Sequence, residues 1–193
     1  NMKNLNEVLE EKMLPIAAKL GANKVLIAIR DGITLSMPLI IIGSLFLVIA
    51  SFPIDAWTTW LTTIGVDSYL WKGVDSSFGL MGLVASFGVA YSYARQHKVD
   101  GVSAGIIALS SFIVVTPFVT GENGAGIPVG YMGSKGLFVA MVLGIISALI
   151  FQWFIKHNIQ IKLPDAVPPA VARSFSALIP GAAIITLWLI VFG

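Results

Sequence analysis

The sequence predicts an all-α membrane protein with five transmembrane helices. Of its 193 residues, 56% are hydrophobic and only 11% are charged, and the mean hydropathy is +0.88. A soluble domain is about one-quarter charged, so a lipid bilayer is the environment that suits this composition. Five uncharged stretches are each long enough to cross ~30 Å of hydrocarbon.

These stretches are predicted to be helices, because a backbone in lipid must satisfy its own hydrogen bonds. They also lack the alternation of polar and apolar residues that marks a β-barrel strand. Their boundaries are 33–52, 76–94, 102–121, 136–155 and 174–193.

The distribution of basic residues predicts that the N-terminus is cytoplasmic. In that orientation the cytoplasmic segments hold ten of the 12 lysines and arginines, and the outer loops hold only Lys72 and Lys135. The opposite orientation would invert the usual excess of lysine and arginine on the inner side of the membrane.

Residues 1–24 are predicted to form an amphipathic segment on the cytoplasmic surface. Leu5, Leu9, Ile16 and Leu20 recur at helical spacing among charged residues, a pattern typical of interfacial helices. Pro15 is expected to divide or kink this helix. Residues 25–193 are predicted to form the five-span domain, and the uncharged C-terminal run leads us to expect a longer protein.

Two features are predicted in the outer loops. The first loop has Asp55 at the start, Trp57 on an apolar face and Gly65 at the end of a helix expected to lie in the interface. The second loop contains Asn123-Gly124, which is typical of a β-hairpin turn.

Small residues recur every four positions on three spans, where they let helices approach closely in lipid. These candidates for packing are Gly82, Ser86, Ala90, Gly101, Gly105, Ala140, Gly144 and Ala148. They could form a homodimer interface, but packing between spans of one subunit is the favoured interpretation for each ridge.

Polar residues that could carry chemistry lie near the predicted cytoplasmic face. Arg30, Asp31 and Arg173 could contact a cytoplasmic partner or a moving domain, although an anchoring role is favoured for the Arg30-Asp31 pair. His97 and His157 suit helix C-termini, which is favoured over a phosphoryl relay. With two histidines and no cysteine, we expect no metal, no cofactor and no catalytic residue in this chain, and the charge gives no reason to expect nucleic-acid binding.

Three strings resemble one family. They are AIRDG at 28–32, MPLIIIGS at 37–44 and LPDAVPPAVARSFSALIPG at 163–181. Together they resemble the N-terminal half of enzyme IIC, the membrane subunit of the bacterial sugar phosphotransferase system, in its lactose/cellobiose/diacetylchitobiose branch.

The resemblance implies a bacterial plasma-membrane protein that takes up a disaccharide while a cytoplasmic IIB subunit, supplied by IIA, phosphorylates it. It implies that the first half serves mainly as scaffold and homodimer interface, and that the sugar-binding residues lie in a second half outside this chain. The alternative is an unrelated secondary transporter or a small membrane scaffold. A proton- or ion-coupled carrier would need ionisable residues in mid-span, and none is present here.

Overall fold

A computed structural model describes residues 2–193, and most of them are helical. The helices are α1 (Met2–Val8), α2 (Leu14–Gly21), α3 (Lys24–Thr34), α4 (Met37–Ala50), α5 (Asp55–Thr63), α6 (Asp67–Ser76), α7 (Met81–Gln96), α8 (Gly101–Val114), α9 (Leu137–Lys156), α10 (Pro169–Ser176) and α11 (Leu178–Phe192). The strands are β1 (Val119–Gly121) and β2 (Gly124–Gly126), and 3₁₀ turns lie at Phe78–Leu80, Val129–Tyr131 and Ser134–Gly136.

The long helices pack into a bundle, and the helices that correspond to the five predicted spans are here called passes. The passes are α3–α4, α6–α7, α8, α9 and α10–α11. By length and composition, the helical segments Asp67–Gln96, Ser134–Lys156 and Pro169–Phe192 can each cross a membrane. The α3–α4 pair adds a fourth candidate if its two helices, which meet at 44°, count as one. A mostly helical bundle with three or four candidate membrane helices and a small two-stranded sheet is therefore confirmed, and the count of five spans stays a prediction.

The first and third passes differ from their predicted boundaries, and the second, predicted at 76–94, extends back to Asp67. The first begins at Lys24, where the Asn23 side chain caps the helix by accepting from the backbone N–H groups of Val25 and Leu26. The third is helical for only 14 residues, to Val114. Pro117 explains this early end, because proline disfavours a helical conformation in the preceding residue and donates no backbone hydrogen bond.

The N-terminal segment is helical, and the side chains of residues 3–21 are exposed. Its apolar residues, among them Leu5, Leu9 and Ile16, therefore find no partner within the described part of the chain. Before Pro15 the helix passes through the π-helical turn Leu9–Met13. The predicted disturbance at Pro15 thus takes the form of a widened turn, and the helix continues.

The predicted outer helix is present as α5. It ends in a Schellman motif, in which Gly65 N donates to Thr62 O at 3.2 Å and Val66 N donates to Leu61 O at 3.1 Å. Gly65 takes the positive φ of +78° that this motif requires. The Trp57 indole Nε1 donates to Ile49 O at 2.8 Å, which fixes α5 against the end of α4.

The predicted hairpin is also present, with a register shifted by one residue. Gly121 pairs with Gly124, so Glu122 and Asn123 form the two-residue turn, where Asn123-Gly124 was expected. Gly124 has a φ of +111°, a conformation that glycine adopts without a steric penalty. The position that requires a positive φ is therefore the first residue of β2, and a glycine occupies it.

Candidate functional site: the central helix and the basic end of the bundle

Helix α7 is the centre of the bundle, packed against α3, α8 and α9. Nine of its 16 residues are buried, and most of these are Gly, Ala or Ser. The predicted ridge residues Gly82, Ser86 and Ala90 are among them. The small side chains explain why three helices can approach α7 at once, as expected for packing without a hydrophobic drive between spans.

The closest approach joins α3 and α7 at Gly32 and Gly88. A Cβ atom on Gly32 would lie 2.4 Å from the backbone N of Val89, and one on Gly88 would lie 2.6 Å from Gly32 O. Neither glycine was among the predicted packing residues. The available signal was the spacing of four between Ala28 and Gly32 and between Gly88 and Ser92, which matches a small-xxx-small pattern.

The other predicted small residues also lie between helices of this one chain. Gly101 and Gly105 on α8 face Tyr91, Arg95 and Phe87 of α7. Ala140, Gly144 and Ala148 are buried on α9, where a Cβ on Gly144 would lie 3.2 Å from Ser86 O. These ridges are therefore covered before any second subunit is present.

Buried hydroxyl groups follow two patterns. Ser86 and Ser111 each donate to a carbonyl three or four residues earlier in their own helix, and Thr116, just beyond the end of α8, donates to Phe112 O of that helix. Ser147 instead accepts from Trp188 Nε1 at 3.0 Å, which links α9 to α11. Ser36 lies fully buried between α3 and α4, and its hydroxyl has no hydrogen-bond partner within residues 2–193.

Basic residues gather at one end of the bundle, here called the basic end and defined by Lys24, Arg95, Lys98 and Lys156. This end contains the start of α3, the α7–α8 turn and the end of α9. The Gln96 side chain donates to Lys24 O at 2.9 Å and so joins α7 to α3 there.

His97 follows α7 at the basic end. The centre of its ring lies 4.5 Å from the centre of the Tyr93 ring. Its Nε2 is buried and makes no hydrogen bond to the described residues. Burial, together with the positive charges of Lys24 and Lys156, lowers the pKa of His97 below its ordinary value. His157 is more exposed, and its Nδ1 lies 2.8 Å from Trp153 O. The two histidines thus lie at helix C-termini, in different surroundings.

Arg30 and Asp31 lie on α3 as an ion pair of adjacent residues, with 3.0 Å between Nε and Oδ1. Their side chains are 68% and 46% exposed, and pairs of this kind contribute little to stability. Both groups therefore remain accessible to a partner.

Arg173 lies on α10 and lines a groove of about 530 Å³ between α7, α8 and α10. The same groove is lined by Arg95 from α7 and by Asp100 from the α7–α8 turn. A neighbouring groove of about 440 Å³ is lined by Asp31, Leu35 and Arg95, among others. The structure thus brings Arg173 close to Arg95, a residue that the sequence analysis did not single out. The signal was present in the charge pattern, since Arg95 ends a span.

Comparison with known proteins gives the class of this bundle. The family model "Phosphotransferase system, EIIC" matches residues 30–193. The crystal structure of the transporter ChbC, the IIC component from the N,N'-diacetylchitobiose-specific phosphotransferase system, superposes with a TM-score of 0.85 at 39% sequence identity. That match covers 95% of this chain and 45% of the ChbC chain. The protein is thus a helical membrane subunit, and the chain belongs to the phosphotransferase-system EIIC family.

Individual relatives show to which branch of the EIIC family the chain belongs. The chain is 48% identical to the cellobiose-specific EIIC component of Geobacillus stearothermophilus and 46% identical to the lichenan permease IIC component of Bacillus subtilis. Each match covers 96% of this chain and 44% of the relative. The predicted lactose/cellobiose/diacetylchitobiose branch is confirmed. The chain spans less than half the length of the curated relatives it matches.

Proposed function

We propose that this chain is the N-terminal scaffold of an EIIC subunit that takes up a disaccharide of the cellobiose, diacetylchitobiose or lactose type. The observation that carries the proposal is the 48% identity to a cellobiose-specific EIIC component across 96% of the chain. The superposition on ChbC also supports the proposal, because this chain and the ChbC transporter share the fold and 39% of their aligned residues.

The proposed membrane arrangement has five spans, with the N-terminus in the cytoplasm of a bacterial cell. The gathering of basic residues at one end of the bundle supports this arrangement, because lysine and arginine are in excess on the cytoplasmic side of a membrane. Helix α8 is the short member, because 14 residues rise ~21 Å against ~30 Å of hydrocarbon. In the proposed arrangement, the segment at 115–118 and the loop that follows cross the part of the hydrocarbon layer that α8 does not reach.

The proposed mechanism is group translocation with cytoplasmic IIB and IIA partners. The sugar receives its phosphoryl group from IIB, and the sugar-binding residues lie outside this chain. This chain's part is a rigid frame, which the glycine-mediated packing of α3, α7 and α9 supports. Arg30 and Asp31, exposed on α3, are the residues we propose for contact with a cytoplasmic partner or a moving domain, while Arg173 borders a separate groove.

A homodimer is the proposed assembly. Since Gly82, Gly101, Gly105 and Gly144 already pack within one chain, the second subunit would contact other faces. The lipid-facing residues of α4, such as Ile41 and Leu45, are among the apolar side chains left exposed. We therefore expect Gly144→Leu to disrupt the folded subunit and not merely to dissociate a dimer, which size-exclusion chromatography with a thermal melt would distinguish.

An uptake assay tests the function. The gene that contains this chain would be expressed, with and without its IIB partner, in cells that lack other β-disaccharide phosphotransferases. We expect radiolabelled cellobiose, diacetylchitobiose or lactose to accumulate as the sugar phosphate only when IIB is present. Accumulation of free, unphosphorylated sugar would indicate the alternative, a secondary transporter.

A further inference from the structure

The groove between α7, α8 and α10 combines positive charge with an apolar edge. Arg95 and Arg173 line it from two different passes, and neither forms an ion pair with any residue in the described range 2–193. Val102 and Ile106 border the same groove and are 51% and 55% exposed. A cavity of this composition at a helix end suits an amphiphilic anion.

The one carboxylate in the groove is already engaged. Asp100 Oδ1 accepts from Val102 N at 3.2 Å, and Oδ2 accepts from Ser103 Oγ at 2.6 Å. Asp100 therefore serves as the N-cap of α8 and does not pair with either arginine. Two arginines and one aspartate leave the groove with a net charge of about +1 at neutral pH.

Arg95 is held in place at the groove wall. Its Nη1 donates to Tyr91 Oη at 2.9 Å, and its guanidinium carbon lies 5.6 Å from the centre of the Tyr91 ring. A guanidinium group carries five N–H donors, so this bond leaves most of them free. Such a fork matches the oxygens of a phosphate group.

We propose that this groove binds the headgroup of an anionic phospholipid, with its phosphate between Arg95 and Arg173 and an acyl chain along Val102 and Ile106. The apolar edge favours a lipid over free phosphate, since the exposed faces of Val102 and Ile106 belong to α8, an apolar helix that the proposed function places across the membrane. Basic pockets between membrane helices are recognised sites for anionic headgroups. The proposal uses the membrane position of the bundle from the proposed function and does not depend on sugar transport.

A binding titration on the complete gene product in mild detergent tests this site. Native mass spectrometry would compare phosphatidylglycerol with phosphatidylcholine of the same chain length. We expect Arg95→Ala and Arg173→Ala each to weaken phosphatidylglycerol binding about five-fold, and the double variant about 25-fold. We expect the unmodified protein to bind phosphatidylcholine weakly. Its affinity for phosphatidylcholine should not exceed the affinity of the double variant for phosphatidylglycerol.

Two further variants separate binding from folding. Lys156→Ala is the matched control, because Lys156 is an exposed basic residue at the same end of the bundle that does not line this groove, and it should leave the titration unchanged. Asp100→Asn removes the negative charge of the groove while keeping an effective N-cap residue. It should tighten phosphatidylglycerol binding several-fold, a gain that a misfolded protein cannot give.

The outcomes distinguish the occupants. Equal binding of the two lipids, or unchanged binding after the double substitution, would overturn the site. Inorganic phosphate that competes fully at millimolar concentration would show a free-phosphate site and overturn the lipid assignment. Loss of lipid binding with intact sugar phosphorylation would leave the proposed function standing, and loss of phosphorylation with intact lipid binding would leave the lipid site standing.

Discussion

The Trp188 indole and the Ser147 hydroxyl are joined by a hydrogen bond of 3.0 Å between α11 and α9. Ser147 is completely buried and Trp188 is 9% exposed, so neither group can turn to water. This bond is a polar connection between the last pass and α9. Its neighbours Ile184 and Leu143 belong to the same apolar core.

Removing the Ser147 hydroxyl should destabilise the protein. In Ser147→Ala the buried indole N–H loses its acceptor, which costs about 1–3 kcal/mol. Trp188→Phe removes the donor, and a double-mutant cycle of the two should give a coupling of about 1 kcal/mol, within the range measured between membrane helices. Unfolding by denaturing detergent provides the measurement. A coupling of zero would mean that the bond does not stabilise the α9–α11 contact.

A single methyl group at the α3–α7 crossing should be poorly tolerated. Gly32→Ala or Gly88→Ala would place a Cβ within 2.6 Å of backbone atoms of the facing helix, and backbone cannot move aside as a side chain can. Overpacking of this kind costs about 1–3 kcal/mol or more. We expect a lower melting temperature and a lower yield of folded protein in detergent.

Gly130→Ala is the matched control for this substitution. A Cβ at Gly130 meets no atom within 4 Å, so the melting temperature should stay close to that of the parent protein. If all three variants melted alike, the close approach of α3 and α7 would not be a stabilising feature of the fold.

Substituting glycine for the residue that follows α7 or α9 should stabilise the protein. Lys98 and Asn158 follow α7 and α9 with φ values of 59° and 58°, each at the left-handed position of a Schellman motif. Lys98→Gly should raise the free energy of unfolding by about 1 kcal/mol, because a side chain is strained there. Asn158→Gly should give less, since asparagine tolerates this conformation better. Thermal melts of the two variants would test the order.

The His97 environment predicts a decline of stability in mild acid. Because burial and the neighbouring Lys24 and Lys156 lower the pKa of His97 in the folded state, the unfolded chain binds more protons below pH ~6.5. The stabilising contribution is complete above pH ~6.5 and is lost as the pH falls through the lowered pKa.

Melting temperatures measured from pH 8 to about pH 5 would test this dependence. His97→Gln should flatten the profile in this range relative to the parent protein. A parent profile that rises toward low pH would contradict the assigned direction of the His97 pKa.

Much of the fold follows from the sequence because lipid imposes strict local requirements. A charge-free run predicts a helix, as in α9, where the helix Leu137–Lys156 nearly matches the predicted 136–155. The helix α5 was also predictable, because its end at Gly65 depends on local capping chemistry. Each of these features is determined by the residues that form it and by their immediate neighbours in the sequence.

Other features depend on contacts that a hydropathy pattern does not contain. The third uncharged run covers 102–121, but its helix ends at Val114 because the chain turns at Pro117 into the hairpin. The bend between α3 and α4 and the crossing of Gly32 with Gly88 join distant segments. For the same reason, only the three-dimensional structure shows that Arg95 and Arg173 line the same groove.

The central claim, a five-pass bundle with its basic end in the cytoplasm, is tested most directly by cysteine labelling. The chain has no cysteine of its own, so Lys162→Cys and Glu122→Cys each introduce a unique thiol at an exposed position. A membrane-impermeant maleimide applied to intact cells should label Glu122→Cys at once and Lys162→Cys only after permeabilisation. Labelling of Lys162→Cys in intact cells, with Glu122→Cys protected, would contradict the claim.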